Sequence, residues 1–361
     1  MRILVGMSGG LDSTYCALEL MRLGAEVEGA ILKMHRYSEE KDAFASAAAL
    51  GIPLHTVDCS DEFESKVVAD FINEYKRGRT PNPCIICNSE IKFKYLVKYA
   101  EENGFDAVAT GHYAKVYRIS PSGEKKIRSL SDIREKEENA RYAVAFGEDA
   151  KKDQTYMLWR LSQDILSKLI FPLGDKTKTD IRSEAKDAGL QAADREESQE
   201  ICFIPDGDYP SFIEEREGIS KEGDFIDEEG KVLGRHKGII RYTVGQRRGL
   251  GISSVGRLFI KKIDTETNNI TLSLNDALYT KVYVSGINFQ GIAGLEAGKS
   301  DAFFVKLRYA ANPVSAEVTY LGEGRAEVLL HTPVRAVTPG QSAVFYDGGI
   351  LAFGGFIDSA T

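Results

Sequence analysis

A glycine-rich stretch near the start of the chain has the residue types of a phosphate site. Residues 6–13 read GMSGGLDS and stand between an apolar run, residues 3–5, and a helical pattern, residues 14–23. Glycine permits close backbone approach, and a helix N-terminus offers unpaired N–H groups to an anion. The loop lacks the lysine of a Walker-type P-loop and carries Asp12 instead. We expect it to bind phosphate groups; the alternative is an ordinary strand-to-helix turn with Ser13 as its N-cap.

Two of the five cysteines stand in a second stretch that could do chemistry. Residues 78–88 read GRTPNPCIICN, which includes Cys84 and Cys87. The two prolines favour an extended backbone, and Asn88 could cap the next helix. That arrangement would place Cys87 near a helix N-terminus, where the pKa of a thiol is lowered. The alternative is half of a zinc site, but the sequence offers no second pair of Cys or His nearby.

Composition describes an ordinary globular protein. The chain has 361 residues, of which 43% are hydrophobic and 28% charged, and its net charge is −8. It has no apolar run of the ~20 residues that span a bilayer and no signal-peptide pattern, so we expect a cytoplasmic protein without membrane contact. Five cysteines in such a chain do not make a disulfide scaffold. Cys16 and Cys59 are expected in the core.

The charges are unevenly distributed. Residues 196–229 contain thirteen acidic and two basic residues, whereas residues 231–262 contain nine Lys or Arg and no acidic residue. A local excess of positive charge is typical of surfaces that bind polyanions. Within it, Arg247 and Arg248 follow a glycine-containing turn and are expected to meet a phosphate backbone.

Alternating patterns predict three domains. Residues 1 to about 112 alternate strand-like and helix-like runs, which is typical of a doubly wound parallel α/β sheet. A further helix is predicted at residues 154–161. After Cys202 the alternation stops, and residues 280–361 contain five or six short strands that suggest a small barrel. We therefore expect an α/β domain at 1–206, a small, mostly β, basic domain at 207–279 and a β-barrel at 280–361.

The motifs together resemble the tRNA-specific 2-thiouridylase family, whose N-terminal domain is an ATP pyrophosphatase of the PP-loop type. The resemblance runs from one end of the chain to the other. The matching stretches are residues 6–13, 78–93 (GRTPNPCIICNSEIKF), 109–113 (ATGHY), 152–156 (KDQTY), 198–204 (SQEICFI), 243–251 (TVGQRRGLG), 308–309 (RY) and 338–346 (TPGQSAVFY).

The resemblance implies that ATP, with Mg²⁺, adenylates the 2-oxygen of the wobble uridine of tRNA, after which a protein-bound sulfur displaces AMP. It implies Cys87 as the nucleophile, Cys202 as the cysteine that carries the persulfide, and Asp12 as a further catalytic residue. Whether the two cysteines form a disulfide in the resting protein stays open. A sulfur donor, such as a cysteine desulfurase or a sulfur-relay protein, is implied as a partner.

The resemblance also implies two sets of binding residues. The expected ATP contacts are Gly6, Met7, Ser8, Gly9, Gly10, Leu11, Asp12, Ser13, Leu32 and Gly111. The expected tRNA contacts are Asn82, Pro83, His112, Lys152, Asp153, Gln154, Arg247, Arg248, Arg308, Tyr309 and Gln341.

One departure from the family pattern leaves a second sulfur route open. Many family members carry aspartate where this chain has Cys84. Three thiolates, on Cys84, Cys87 and Cys202, could hold an iron–sulfur cluster with one iron open to sulfide. Two other functions are weighed as alternatives: a PP-loop amidoligase, which would need no paired thiols, and an RNA-binding protein with an inactive ATP loop.

Overall fold

A computed structural model of the chain describes residues 1–36, 40–135, 137–195, 201–253, 256–275 and 277–361. The strands of the N-terminal half are β1 (Arg2–Gly6), β2 (Glu26–Lys33), β3 (Leu54–Asp58), β4 (Ala107–Ala109), β5 (Ala114–Ile119), β6 (Lys125–Ile127), β7 (Arg141–Phe146) and β8 (Leu169–Ile170). Five of them form a parallel sheet in the order β3-β2-β1-β4-β8.

Helices cover both faces of the parallel sheet. The helices of the described residues are α1 (Leu11–Arg22), α2 (Glu40–Leu50), α3 (Ser60–Phe63), α4 (Ala69–Lys76), α5 (Pro83–Ile86), α6 (Phe93–Glu102), α7 (Gln163–Leu166), α8 (Lys178–Asp187) and α9 (Tyr209–Glu217). Two π-helical turns, Glu64–Val68 and Cys87–Lys92, join α3 to α4 and α5 to α6. Short 3₁₀ turns occur at Leu130–Asp132, Thr155–Met157, Gln191–Asp194 and Ile239–Arg241. None of the helices in the described part of the chain has the length and apolar character that a membrane span requires.

The first strand shows why the apolar runs become central strands. Ile3, Leu4 and Val5 are fully buried. Successive side chains of a strand point to opposite faces, so Leu4 belongs to one hydrophobic cluster and its two neighbours to another. The doubly wound parallel sheet expected from the sequence is confirmed.

The prediction of a helix at residues 154–161 is wrong. The segment forms only the 3₁₀ turn Thr155–Met157. Its apolar residues are buried against the C-terminal strands: the Trp159 indole N–H donates to Ser342 Oγ at 2.9 Å, and the Tyr156 hydroxyl donates to the Ser342 carbonyl at 2.9 Å. The apolar spacing therefore reflects packing between domains and not a helical face.

The rest of the chain forms two β structures. A four-stranded sheet in the order β10-β9-β12-β11 consists of β9 (Gly223–Ile226), β10 (Val232–His236), β11 (Phe259–Asp264) and β12 (Asn269–Ser273). A closed six-stranded barrel consists of β13 (Leu278–Phe289), β14 (Ser300–Lys306), β15 (Val314–Gly322), β16 (Arg325–Arg335), β17 (Ser342–Asp347) and β18 (Ile350–Ala360). Pairing of β13 with β18 closes the barrel, which confirms that prediction.

The barrel is joined to the N-terminal half by strand pairing. Ile350 of β18 pairs with Ala145 of β7, and β7 continues through β5 to β6. The barrel sheet therefore extends into the N-terminal part, which the sequence patterns did not indicate.

Candidate active site

The glycine-rich loop, residues 6–13, connects β1 to α1 as expected. Helix α1 begins at Leu11 with Gly10 as its N-cap and with no side-chain hydrogen bond at the cap. Ser13 is inside the helix, where its hydroxyl donates to the Gly10 carbonyl at 3.1 Å, so the reading of Ser13 as N-cap is wrong. An uncapped helix N-terminus leaves backbone N–H groups for an anion.

Two glycines at the loop leave no room for a side chain. Gly9 has φ +80°, and a Cβ there would lie 2.4 Å from the backbone of Asp42. A Cβ on Gly111 would lie 2.6 Å from the backbone of Asp12. Gly111, an expected ATP contact, therefore allows the end of β4 to pack against the loop. Leu32, another expected contact, is buried near the end of β2.

The Asp12 carboxylate is held by two groups from outside the loop. The Lys178 ammonium donates to its oxygens at 2.7 and 2.9 Å, and the Tyr113 hydroxyl donates to it at 2.7 Å. Only 12% of the Lys178 side chain and 33% of the Asp12 side chain are exposed. A lysine therefore does contact the loop, but it comes from the start of α8 and not from the loop sequence.

Sequence reasoning missed Lys178, although it left a signal. Thr177 and Asp180 form a capping box, so Lys178 occupies the first position of α8. The helix dipole disfavours a cation at the N-terminal position of a helix unless a negatively charged partner compensates for it. Asp12 is that partner.

The other side of the loop is fixed by Arg195, a second residue that the sequence analysis missed. Its guanidinium donates to the Gly9 carbonyl and forms an ion pair with Asp42 at 3.0 Å. The Ser46 hydroxyl donates to the same carbonyl at 3.3 Å. These hydrogen bonds hold the Gly9 carbonyl against α2.

The expected cysteine motif begins with a tightly held loop. Asn82 is the N-cap of α5, since its side chain accepts from the Cys84 N–H at 3.2 Å. The expected cap, Asn88, instead lies buried one turn later, where its amide donates to the Met157 carbonyl at 3.0 Å and its Oδ1 has no hydrogen-bond partner. Pro83 occupies the first position of the helix.

All three parts of the fold meet at Thr80, just before this helix. The Thr80 N–H donates to the Pro339 carbonyl at 2.9 Å, and the Gln341 amide donates to the Thr80 carbonyl at 2.8 Å. The Thr80 hydroxyl donates to that of Thr243 in the central region at 3.3 Å. Gln341, an expected tRNA contact, therefore anchors the cysteine loop.

The expectation of a lowered pKa at Cys87 is wrong. Cys87 is 8% exposed, and burial raises the pKa of its thiol to about 12. Its backbone N–H already donates within the helix to the Pro83 carbonyl, so the helix terminus cannot compensate for desolvation. The Cys87 sulfur lies 3.8 Å from Met34 Sδ, just after the end of β2.

Cys84, Cys87 and Cys202, which we call the thiol cluster, lie within electrostatic reach of one another. Charge on Cys84 or Cys202 raises the pKa of Cys87, after burial as the main cause. Cys84 and Cys202 have exposed surface, yet the surrounding protein desolvates their thiols and raises both pKa values, that of Cys202 to about 11. The chain's five cysteines are free thiols, with Cys16 and Cys59 buried as expected.

Cys202 is anchored by its neighbour. Phe203 is 3% exposed and packs edge-on against Phe63 and Phe71, with ring centroids 5.5 and 5.4 Å apart. The family-like stretch at 198–204 is described from Ile201 onward; residues 198–200 lie outside the described residues. Cys202 is thus attached to the helices beside Cys87.

The described surroundings of these thiols contain no metal-binding arrangement. Within the described ranges, no group of three or more His, Cys, Asp or Glu side chains is placed to hold a metal ion. The cysteines therefore do not fit an iron–sulfur cluster or a zinc site in this arrangement.

The expected tRNA contacts are divided between interior and surface. Asp153 is 8% exposed; it accepts from the Thr155 hydroxyl at 3.0 Å and pairs with Lys306 of β14 at 3.5 Å. The Gln154 side chain accepts from the Tyr113 N–H at 3.0 Å. Lys152 is half-buried.

His112 is also interior. It is 9% exposed, it contacts Thr110 Oγ1 through Nδ1 at 2.7 Å, and burial lowers its pKa well below the ordinary value. By contrast, Arg308 is exposed and donates to the Arg335 carbonyl at 3.2 Å, and Tyr309 is 38% exposed.

The basic stretch is partly neutralised by the acidic stretch that precedes it. Ion pairs between the two are Arg235–Asp224, Arg241–Glu214 and Lys261–Glu228. Arg247 and Arg248 are exposed in the loop between β10 and β11. The positive surface is therefore smaller than the sequence count suggests.

Comparison with known proteins covers almost the whole chain. Family models described as the tRNA methyl transferase HUP domain, the tRNA methyl transferase PRC-barrel domain and the aminomethyltransferase beta-barrel domain match residues 1–206, 211–274 and 280–357. A protein of Acetivibrio thermocellus named tRNA-specific 2-thiouridylase MnmA is 39% identical over 99% of both chains. One of Caldanaerobacter subterraneus subsp. tengcongensis, named tRNA-specific 2-thiouridylase MnmA 1, is 41% identical over 99% of this chain and 98% of its own.

The chain belongs to the tRNA-specific 2-thiouridylase family. It is a tRNA sulfurtransferase whose substrate is tRNA and whose PP-loop fold uses ATP. The amidoligase and inactive-protein alternatives are not favoured, because the matched relatives are named thiouridylases.

Proposed function

We propose that the enzyme adenylates the 2-oxygen of the wobble uridine at the glycine-rich loop and replaces that oxygen with sulfur from a persulfide on Cys202. A carbonyl oxygen is a poor leaving group, and its conversion to an adenylate makes attack by sulfur feasible. The reaction therefore needs an AMP-transferring loop and a sulfur nucleophile at one site.

One observation carries this proposal: the loop and the thiol cluster lie at the same edge of the parallel sheet. The loop follows the carboxyl end of β1. Met34, which contacts the Cys87 sulfur, follows the end of β2, and Gly111 follows the end of β4. Carboxyl ends of parallel strands share one edge, where α/β folds bind their ligands.

At the loop, backbone N–H groups and the Lys178 ammonium hold the phosphates. The uridine 2-oxygen bonds to the α-phosphorus of ATP as pyrophosphate leaves, and the N3 proton is lost. Asp12 is the loop carboxylate that would hold Mg²⁺ together with the substrate phosphates, in exchange for the hydrogen bonds that it accepts from Lys178 and Tyr113 without ATP. The metal would neutralise charge on the departing pyrophosphate.

At the thiol cluster, the terminal persulfide sulfur of Cys202 bonds to C2 as the C2–oxygen bond to AMP breaks. The Cys87 thiolate then attacks the Cys202 sulfur. This step forms a Cys87–Cys202 disulfide and releases 2-thiouridine, which regains its N3 proton. An external dithiol reduces the disulfide, and a cysteine desulfurase or sulfur-relay protein supplies the next persulfide sulfur.

The tRNA contacts are part of the proposal. A wobble base must leave its stack to react, so we place the flipped uridine near Asn82, Cys87 and Asp153. The division into domains 1–206, 207–279 and 280–361, with the two smaller ones clamping the anticodon arm, and the cytoplasmic location remain predictions.

The experiment that tests this function compares the two sulfur routes on unmodified tRNA. Protein purified anaerobically is analysed for iron and sulfide, and 2-thiouridine is measured for wild type, Cys84→Asp and Cys202→Ser. The persulfide route requires absence of iron, activity in Cys84→Asp and none in Cys202→Ser. Stoichiometric iron that is lost together with activity in Cys84→Asp would establish the cluster route instead. Failure of wild type to form 2-thiouridine with ATP and a persulfide donor would refute the proposal.

A further inference from the structure

Lys92 ends the π-helical turn Cys87–Lys92, and this turn decides where its side chain lies. In an α-helix, residues five apart are separated by about 140° around the axis. A π-helix makes its hydrogen bonds five residues apart, so positions i and i+5 come onto the same face. The π register therefore brings half-buried Lys92 onto the side of Cys87.

The surroundings of Lys92 connect the two halves of the site. Its positive charge acts on Cys84, Cys87 and Cys202 and lowers the pKa of each against the effect of burial. It also acts on His112, which follows Gly111 behind the glycine-rich loop. Lys92 is the cation whose effect the three thiols share, among the residues that the structure describes.

We propose that Lys92 is a positioning residue for the thiol cluster, whose ammonium group stabilises negative charge on the reacting sulfurs. This inference rests on the proposed function, because it assigns the cation that the sulfur-transfer step needs. The thiolate and the persulfide anion, and not their protonated forms, are the nucleophiles. A buried site without a cation would keep them protonated.

The other ionisable groups near the cluster do not supply this charge. Cys59, just after β3, raises the pKa of Cys87, and its own pKa is raised by burial first and then by Asp58 and Glu62. Burial keeps His112 neutral. Two nearby cations are engaged elsewhere: Lys66 and Arg160 pair with Glu90, at 3.9 and 3.2 Å.

The test measures thiol alkylation without tRNA or ATP. Reduced wild type, Lys92→Met, Lys92→Gln and Lys92→Arg are treated with iodoacetamide from pH 6 to 10, and modification of Cys84 and Cys202 is followed by peptide mass spectrometry. We expect Lys92→Met and Lys92→Gln to slow alkylation of both thiols by about tenfold at each pH in this range, because loss of the cation lowers the fraction of each thiol that is a thiolate. Lys92→Arg should stay within about threefold of wild type.

Lys66→Met is the matched control, because it removes a lysine of the adjacent π turn that is paired with Glu90 at 3.9 Å. Cys16 and Cys59 report on folding, since both are buried and gain reactivity only if the protein opens. Unchanged pH profiles in both neutral Lys92 variants would overturn the inference, as would an equal shift in Lys66→Met or failure of Lys92→Arg to preserve the profile. A wild type that forms no 2-thiouridine but shows the Lys92-dependent profile would refute the proposed function alone.

Discussion

The glycine-rich loop and the thiol cluster lie at the same edge of one sheet, but their reactive groups are controlled in opposite ways. Asp12 is a partly exposed charge whose oxygens are occupied by Lys178 and Tyr113. Cys87 is a neutral thiol kept protonated by burial. The uncapped N-terminus of α1 is preformed for an anion, whereas the thiol cluster must gain a charge before it reacts. The two steps of the reaction should therefore be separable by mutation.

The largest expected effect separates the sulfur step from adenylation. Cys87→Ala should reduce 2-thiouridine formation by at least about 10³-fold while pyrophosphate release that depends on tRNA stays within a few-fold of wild type. The measurement is both products in one single-turnover assay. Cys16→Ala is the control, because Cys16 is a core residue of α1. Equal loss of both products in Cys87→Ala would mean that the two regions act as one unit.

The next effect belongs to the loop. Lys178→Met should lower kcat/KM for pyrophosphate release by roughly 10²–10³-fold, because a preorganised positive charge at the phosphates is removed. Lys186→Met, at an exposed position of the same helix, should change it less than twofold. Similar activities of the two variants would contradict the role assigned to Lys178.

A third prediction concerns Asp153, which is a buried carboxylate, whereas Asp12 is partly exposed. Lys306→Met should lower the free energy of unfolding by about 2–4 kcal/mol, because it leaves an uncompensated buried charge. The double variant Asp153→Asn with Lys306→Met should recover at least half of that loss. Denaturant titration measures both, and no recovery would show that the Lys306 stem, and not the ion pair, stabilises the junction.

The same carboxylate predicts a pH dependence. Burial raises the pKa of Asp153, so the folded state keeps its proton to a higher pH than the unfolded state, whose pKa is about 3.9. The contribution of Asp153 to the free energy of unfolding is therefore greatest below the unfolded-state pKa, and it is lost as the pH rises through the folded-state pKa. Asp153→Asn should remove this decline. Identical slopes for wild type and variant between pH 4 and 7 would contradict it.

The smallest effect concerns the basic loop of the central region. Replacing Arg247 and Arg248 by Gln should reduce the slope of log affinity for tRNA against log salt by about 1–2, since each arginine releases roughly one counterion. Arg235→Gln should change the slope less, because Arg235 is already paired with Asp224 at 3.0 Å. Filter binding at several salt concentrations gives the slopes, and equal reductions would mean that the ion pair opens on tRNA.

The sequence predicted the parts of the site that depend on nearby residues. The loop between β1 and α1 is fixed by bonds among neighbours, such as that from Ser13 to Gly10. Lys178, 166 residues from Asp12, could not be assigned by spacing. The pKa of Cys87 was predicted in the wrong direction because burial comes from tertiary packing, and local position alone suggested a helix terminus.

The junction at Thr80 has a consequence for how the molecule is made. Two backbone hydrogen-bonding groups of Thr80 are satisfied by Pro339 and Gln341, about 260 residues later. Synthesis proceeds from the N-terminus. The loop that precedes Cys84 and Cys87 therefore cannot make these hydrogen bonds until nearly the whole polypeptide has been synthesised. A ribosome-bound nascent chain therefore cannot assemble this sulfur site early.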